Sequence, residues 1–235
     1  STVNFSYYEV YVNALRAFSG MGFPYGADED AAFIIAWLEL NNLYGVKLFV
    51  NSIDNIDRKY DGKIKLSKKQ SIIDFKKSSV LMKGPGLIDY LESIINKEKK
   101  IEIIINNCYD PICFLPLLYK IKNNALFSNL LFFKNKKENL FYFIKNKLVK
   151  IGLTSNSHNL KKNQAKIIIS TQSESLKIKN IKQKITNHTM QKNLSKSLNP
   201  HSKHWKILEK IAQRAYVPES LESRSKGAGG NDDND

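Results

Sequence analysis

Apolar positions recur along this chain with two different periods, and the change of period separates helical from extended stretches. Over Ser6 to Ser19 they return every three or four residues, so that Val10, Leu15 and Phe18 share a face, and Ser6 with Glu9 makes a capping-box pattern that starts a helix. Gly20-Met-Gly-Phe-Pro-Tyr-Gly26 reads as a turn. Asp28, Glu29 and Asp30 then fall in the first turn of a second helix, where the dipole favours acids. Ala31 to Leu40 is apolar nearly all round, which predicts burial, and the two helices form a hairpin. Asn51 to Lys63 predicts a polar loop, and Lys68 to Lys77 a short helix or strand. Gly84-Pro85-Gly86 predicts a turn ahead of a helix over Leu87 to Asn96, with Leu87, Leu91, Ile94 and Ile95 on one side. A glycine there could admit a phosphate at the helix start, but the fuller Gly-Lys-Ser/Thr pattern is missing.

The period then changes. Ile101 to Ile105 is a β-branched run ended by Asn106-Asn-Cys-Tyr-Asp-Pro111, and Phe114 to Ile121 is apolar again, interrupted by Pro116. Leu130 to Phe133, Leu140 to Ile144 and Lys147 to Ile151 alternate and are joined by tight polar turns, which predicts an antiparallel meander. Lys166 to Thr171 and Leu176 to Ile181 read as further strands, and Thr186 to Leu198 as a linker. Asn199-Pro200 supplies a cap and a first-turn proline for a last helix to about Ala215, striped by Trp205, Leu208, Ala212 and Ala215. The fold expected is α+β. An N-terminal helical hairpin and a C-terminal helix pack on a largely antiparallel sheet, as one domain over residues 1–216 with a Gly/Asp-rich tail over 217–235.

Charge changes this picture less than its size suggests. The formal net charge is +15, which invites a nucleic-acid reading, yet only Arg16, Arg58, Arg214 and Arg224 among the 37 basic residues are arginine. The abundance of Lys, Asn and Ile fits an AT-rich coding bias, which spreads charge over the surface. Non-specific nucleic-acid binding would need lysines and aromatics such as Tyr142 and Phe143 to line one groove, and specific binding is not expected. Under such a bias a remaining arginine points to a need for its planar fork. No run is long and apolar enough to span a membrane, and no secretory pattern opens the chain, so a cytoplasmic protein is expected. Cys108 and Cys113 build no disulfide framework or zinc site. His201 and His204, three apart, read as surface histidines rather than metal ligands, and neither metal nor cofactor is expected.

The last stretch differs from the rest. Arg214 and Arg224 flank Tyr216 and Pro218. Gly227, Gly229 and Gly230 can form an anion-binding nest, and Asp232, Asp233, Asn234 and Asp235 close the sequence. The composition also fits a frayed terminus. Arg214-x-Tyr216-x-Pro218, Ser223-Arg224, Gly227-Ala228-Gly229 and Asp233-Asn234-Asp235 resemble the close of an uncharacterised bacterial family, domain of unknown function 3726. Arg16-Ala17, Gly20, Gly22, Pro24, Gly26-Ala27, Glu29, Ala31 and Trp37-Leu38 are similar to its opening. That resemblance implies no activity. The hairpin also resembles the helical start of the malate/lactate-type dehydrogenases unrelated to Rossmann enzymes, where a Ser-His-Gly-Val run carries a catalytic histidine. The run here is Leu43-Tyr44-Gly45-Val46, which implies no dehydrogenase activity from this chain alone.

These readings give three expectations of function. The first is an accessory or small-molecule-handling protein of metabolism whose tail docks in a cleft, in a partner enzyme or in a second copy. The second is an enzyme acting on a small anionic substrate, with Arg214, Arg224, Asp232, Asp233 and Asp235 at its site. The third is a non-specific nucleic-acid binder. Arg16 is expected to anchor an anion or the acidic tail, or to pair with Asp28 or Glu29.

Overall fold

The computed structural model describes residues 1–66, 71–122, 128–135, 138–153, 160–171 and 180–216. Helix α1 (Tyr7–Gly20) starts at the capping box read from the sequence. The Ser6 hydroxyl accepts from the Glu9 amide at 3.2 Å, and the Glu9 carboxylate accepts from the Ser6 amide at 2.7 Å. Helix α2 (Ala27–Leu40) is buried nearly all round, from Ala31 and Ala32 through Ile34, Ile35, Trp37 and Leu38. The first part of the expected polar loop over 51–63, up to Ile56, belongs to a third helix, α3 (Gly45–Ile56), and the rest is loop. Its buried face, Val46, Phe49, Ser52 and Ile56, has helical spacing, and Asn51, Asp54 and Asn55 are its solvent side.

Strand β1 (Ile72–Ser79) leads into helix α4 (Val80–Ile95), which returns to strand β2 (Lys100–Tyr109). Gly84-Pro85-Gly86 lies inside α4 and is not a turn before it. The apolar stripe already begins at Val80 and Leu81, and Ser79 caps the helix by accepting from the Leu81 amide at 3.1 Å. Strand β2 runs on through Asn106 to Tyr109 instead of breaking there. Lys76, Lys77 and Asn107 take left-handed backbone angles, and the register between β1 and β2 shifts between Asp74 and Ser78. A 3₁₀ turn and helix α5 (Phe114–Lys120) follow.

Strands β3 (Ser128–Asn135), β4 (Glu138–Lys145) and β5 (Leu148–Leu153) form the expected meander, joined by β6 (Ala165–Ser170) and β7 (Ile181–Ile185). The order is β1-β2-β6-β3-β4-β5-β7. Among the described residues only β1 and β2 pair in parallel, so the fold is α+β with a mostly antiparallel sheet. Alternation sends Leu131, Phe133, Ile167 and Ile169 into the main core, and Leu130, Phe132 and Ile168 onto Leu160 across the sheet. Most of the strand expected over Leu176 to Ile181 lies outside the described residues.

The linker expected over 186–198 contains helix α6 (Asn187–Leu194). It buries no residue, so it leaves no apolar period to read. A Thr186–Thr189 capping box and the Asn193 side-chain amide, donating to the Leu40 carbonyl at 2.9 Å, hold it. Helix α7 (Ser202–Ala212) is capped by His201, whose Nδ1 accepts from the Lys203 amide, and not by Asn199. Leu198 and His201 are bridged to Phe5 and Thr2, which keeps the approach to α7 extended and moves the helix start beyond Pro200. No helix among the described residues is long and apolar enough to cross a membrane.

Candidate functional site

Three segments far apart in sequence meet at the turn between α1 and α2. Gly20 makes the approach possible. A Cβ there would stand 2.8 Å from the Arg214 Cβ and 3.0 Å from the Ile211 carbonyl oxygen, so only glycine lets the end of α7 close on α1. Arg58, just past α3, has φ 56° and donates its amide to the Met21 carbonyl at 2.9 Å, which fastens that segment to the same turn. The result is an open cleft of about 760 Å³ lined by Ser19 to Gly22, Pro24, Arg58, Tyr60, Arg214 and Ala215.

Its electrostatics follow from which cations are paired. Arg214 donates to the Asp57 carboxylate at 2.8 Å, so its charge is partly offset. The Arg58 guanidinium is exposed and forms no ion pair among the described residues. Arg16 lies with its guanidinium 5.2 Å from the centroid of the Tyr216 ring, a cation–π contact, and not on Asp28 or Glu29. The Asp28 carboxylate accepts instead from the Gly26 and Glu29 amides. Tyr60 packs its ring on Phe23, and its hydroxyl is pushed above the usual phenol range by burial and then by Asp30 and Asp61.

Of the residues singled out in the sequence, Arg16, Arg214 and Tyr216 are thus neighbours. Arg224, Gly227, Gly229, Asp232, Asp233, Asn234 and Asp235 lie outside the described residues. Arg58 and Tyr60 were not singled out as site residues. The scarcity of arginine was the available signal for Arg58; nothing in the pattern marks Tyr60.

A buried polar cluster stands elsewhere, at the carboxyl ends of the parallel pair. Asp110, at φ 59° after β2, accepts through Oδ2 from the Ser52 hydroxyl at 2.9 Å and the Ser79 hydroxyl at 3.0 Å. It joins α3, the α4 cap and β2. Burial pushes its carboxyl above the usual range, and the two serine bonds oppose that. A raised folded pKa means that stability is fully present below the ordinary carboxylate value and falls as pH rises through the folded value. Asp110→Asn keeps an acceptor and tolerates the left-handed backbone. Thermal melts across the acidic range should therefore show a flatter pH dependence for Asp110→Asn, and a neutral-pH stability at or above wild type. Asp110→Ala should lose about 1–3 kcal/mol, because the Ser79 hydroxyl loses its acceptor.

Other candidate chemistry is not assembled. Both thiols are buried, and burial pushes Cys108 up to about 12 and raises Cys113 well above the ordinary value, so neither is a ready nucleophile. His201 and His204 have ring centroids 5.4 Å apart, and no group of three potential metal ligands occurs among the described residues. Tyr142 is 2% exposed, so it cannot be a base-stacking platform in a nucleic-acid groove.

A family model described as a protein of unknown function, DUF3726, matches residues 5–79. No curated protein matches the chain significantly. Solved structures do match over nearly the whole chain. Malate dehydrogenase from Pyrococcus horikoshii is similar with a TM-score of 0.66 at 11% identity, covering 92% of this chain and 97% of that one. Sulfolactate dehydrogenase from Methanocaldococcus jannaschii gives 0.63 at 8%, covering 91% and 97%. Malate dehydrogenase from Entamoeba histolytica gives 0.60 at 8%, covering 93% and 99%. At these identities the likeness is one of fold. It extends the resemblance of the hairpin to the whole architecture. It also overturns the expectation of an accessory protein defined by its tail, because the body of the chain has the fold of structures named as dehydrogenases from end to end.

Proposed function

We propose that the chain is an enzyme acting on a small anionic substrate, of the size and charge of the malate and sulfolactate for which similar structures are named. The observation that carries this reading is that Arg58 and Arg214, two of the four arginines of a lysine-rich chain, line one open cleft. Arg58 is free to take a carboxylate through its planar fork. Arg214 shares its charge between Asp57 and the ligand. Tyr60, kept protonated by its surroundings, donates a hydrogen bond.

A dehydrogenase also needs a hydride acceptor. Gly84 and Gly86 stand inside α4, and a Cβ at Gly84 would meet the Val80 side chain at 2.5 Å, so that run forms no phosphate-cradling loop. Tyr44 occupies the run in which the dehydrogenase hairpin carries its histidine.

Thermal unfolding with malate, with sulfolactate and with the neutral diamide of malate tests the proposal. The two acids should stabilise the protein, by about 2.7 kcal/mol at a hundredfold excess over Kd, and the diamide should not. Equal stabilisation by the diamide, or none by either acid, would refute it.

A further inference from the structure

The other end of α2 carries a second, smaller cleft, and its chemistry differs from that of the arginines. It holds about 230 Å³ and is lined by Glu39, Asn42, Tyr44, Asn193, Lys196 and Asn199, brought from the α2–α3 turn and from the α6–α7 connection. The 14 residues of α2 separate it from the arginine cleft by about 20 Å, at roughly 1.5 Å per residue, too far for one small ligand to span.

Two features of this cleft bear on what it can hold. The first is Tyr44, which takes φ 55° and ψ 48°, a left-handed conformation that is rare for a bulky side chain, and which is 70% exposed as a residue. The ring buries little to compensate for that conformation. Strain of this kind persists where the surroundings impose it, and it is concentrated at functional positions. The second is Glu39. One carboxyl oxygen accepts from the Val46 amide at 2.9 Å, and the other makes no bond among the described residues. Burial raises its pKa, with the Val46 bond opposing. An exposed aromatic face beside a half-buried carboxyl and side-chain amides is the arrangement that receives a hydroxylated ring: the C–H face stacks on the aromatic, and the hydroxyls exchange hydrogen bonds with the carboxyl and amides.

We propose that this cleft binds a neutral monosaccharide or similar small polyol, with Tyr44 as the stacking platform and Glu39 and the neighbouring asparagine side chains as hydroxyl partners. Lys196 sits exposed at the rim as an additional donor. The volume suits one sugar ring and excludes a long oligosaccharide.

Titration of the isotope-labelled full chain, followed through its backbone amide resonances, tests this with D-glucose, D-galactose, D-mannose, D-xylose, D-ribose and glycerol, each to tens of millimolar. At least one should shift the amides of residues 42–46 and 193–199 saturably, and acetate should not reproduce those shifts. Tyr44→Gly is the discriminating variant. Glycine prefers the left-handed backbone and the lost ring is exposed, so its melting temperature should equal or exceed that of wild type while sugar binding weakens about tenfold or more. Glu39→Gln should also weaken binding, and Arg58→Ala should leave it unchanged, which separates this site from the anion cleft. No saturable shift with any of the six, an equal response to acetate, or a Tyr44→Gly protein that binds like wild type would each overturn the proposal.

Discussion

Gly45→Ala is expected to destabilise the protein by at least about 3 kcal/mol, the upper part of the overpacking range. A Cβ at Gly45 would stand 2.0 Å from the Ile35 carbonyl oxygen and 2.9 Å from the Glu39 amide nitrogen. Both are backbone atoms of α2, so no rotamer change relieves the clash. Helix α3 must instead lift away from α2, taking the packing of Val46 and Phe49 with it. Against a typical total of about 5–15 kcal/mol, that leaves little or no folded protein at moderate temperature. Far-ultraviolet circular dichroism on heating, or failure to recover soluble protein, reads the effect. A Gly45→Ala protein that melts like wild type would show that the two helices are less closely crossed.

Trp205→Ala carries the second large effect, about 3–5 kcal/mol. Trp205 is 2% exposed and stacks on Phe5 with ring centroids 4.1 Å apart. Through that pair, and the bridges of Thr2 and Phe5 to His201 and Leu198, the first residues of the chain hold α7 in place. Helix α7 in turn delivers Arg214 to the cleft, so the variant should lose anion binding along with stability. Trp205→Phe provides the control. It keeps a ring to stack and removes an indole N–H that is buried with no hydrogen-bond partner among the described residues, so it should cost much less than the alanine. Chemical denaturation of the two variants side by side separates stacking from bulk burial.

Elements whose local pattern agrees with the tertiary fold were legible in the sequence; α3, although one face of it is buried, and α6 were not. The capping box of α1, the apolar run of α2, the meander of β3 to β5 and the stripe of α7 each follow from a local pattern that agrees with the tertiary fold. Helix α3 was obscured because its solvent face is rich in Asn and Asp, and α6 because it buries nothing. The Gly-Pro-Gly run misled because turn chemistry was read without the stripe that continues α4 through it. At the cleft, the scarcity of arginine pointed to Arg214, whose neighbourhood with Arg58 depends on Gly20 and on the left-handed backbone past α3. Such long-range meetings leave no periodic trace.

The proposed function turns on an anion held by Arg58 at the cleft where α1, α3 and α7 meet. Isothermal titration of malate into wild type, Arg58→Lys and Arg58→Ala measures this directly. Saturable binding is predicted for wild type, weakened about tenfold or more in the alanine variant, with the lysine variant also impaired because a point charge does not replace the fork. Equal affinity in all three proteins would contradict it.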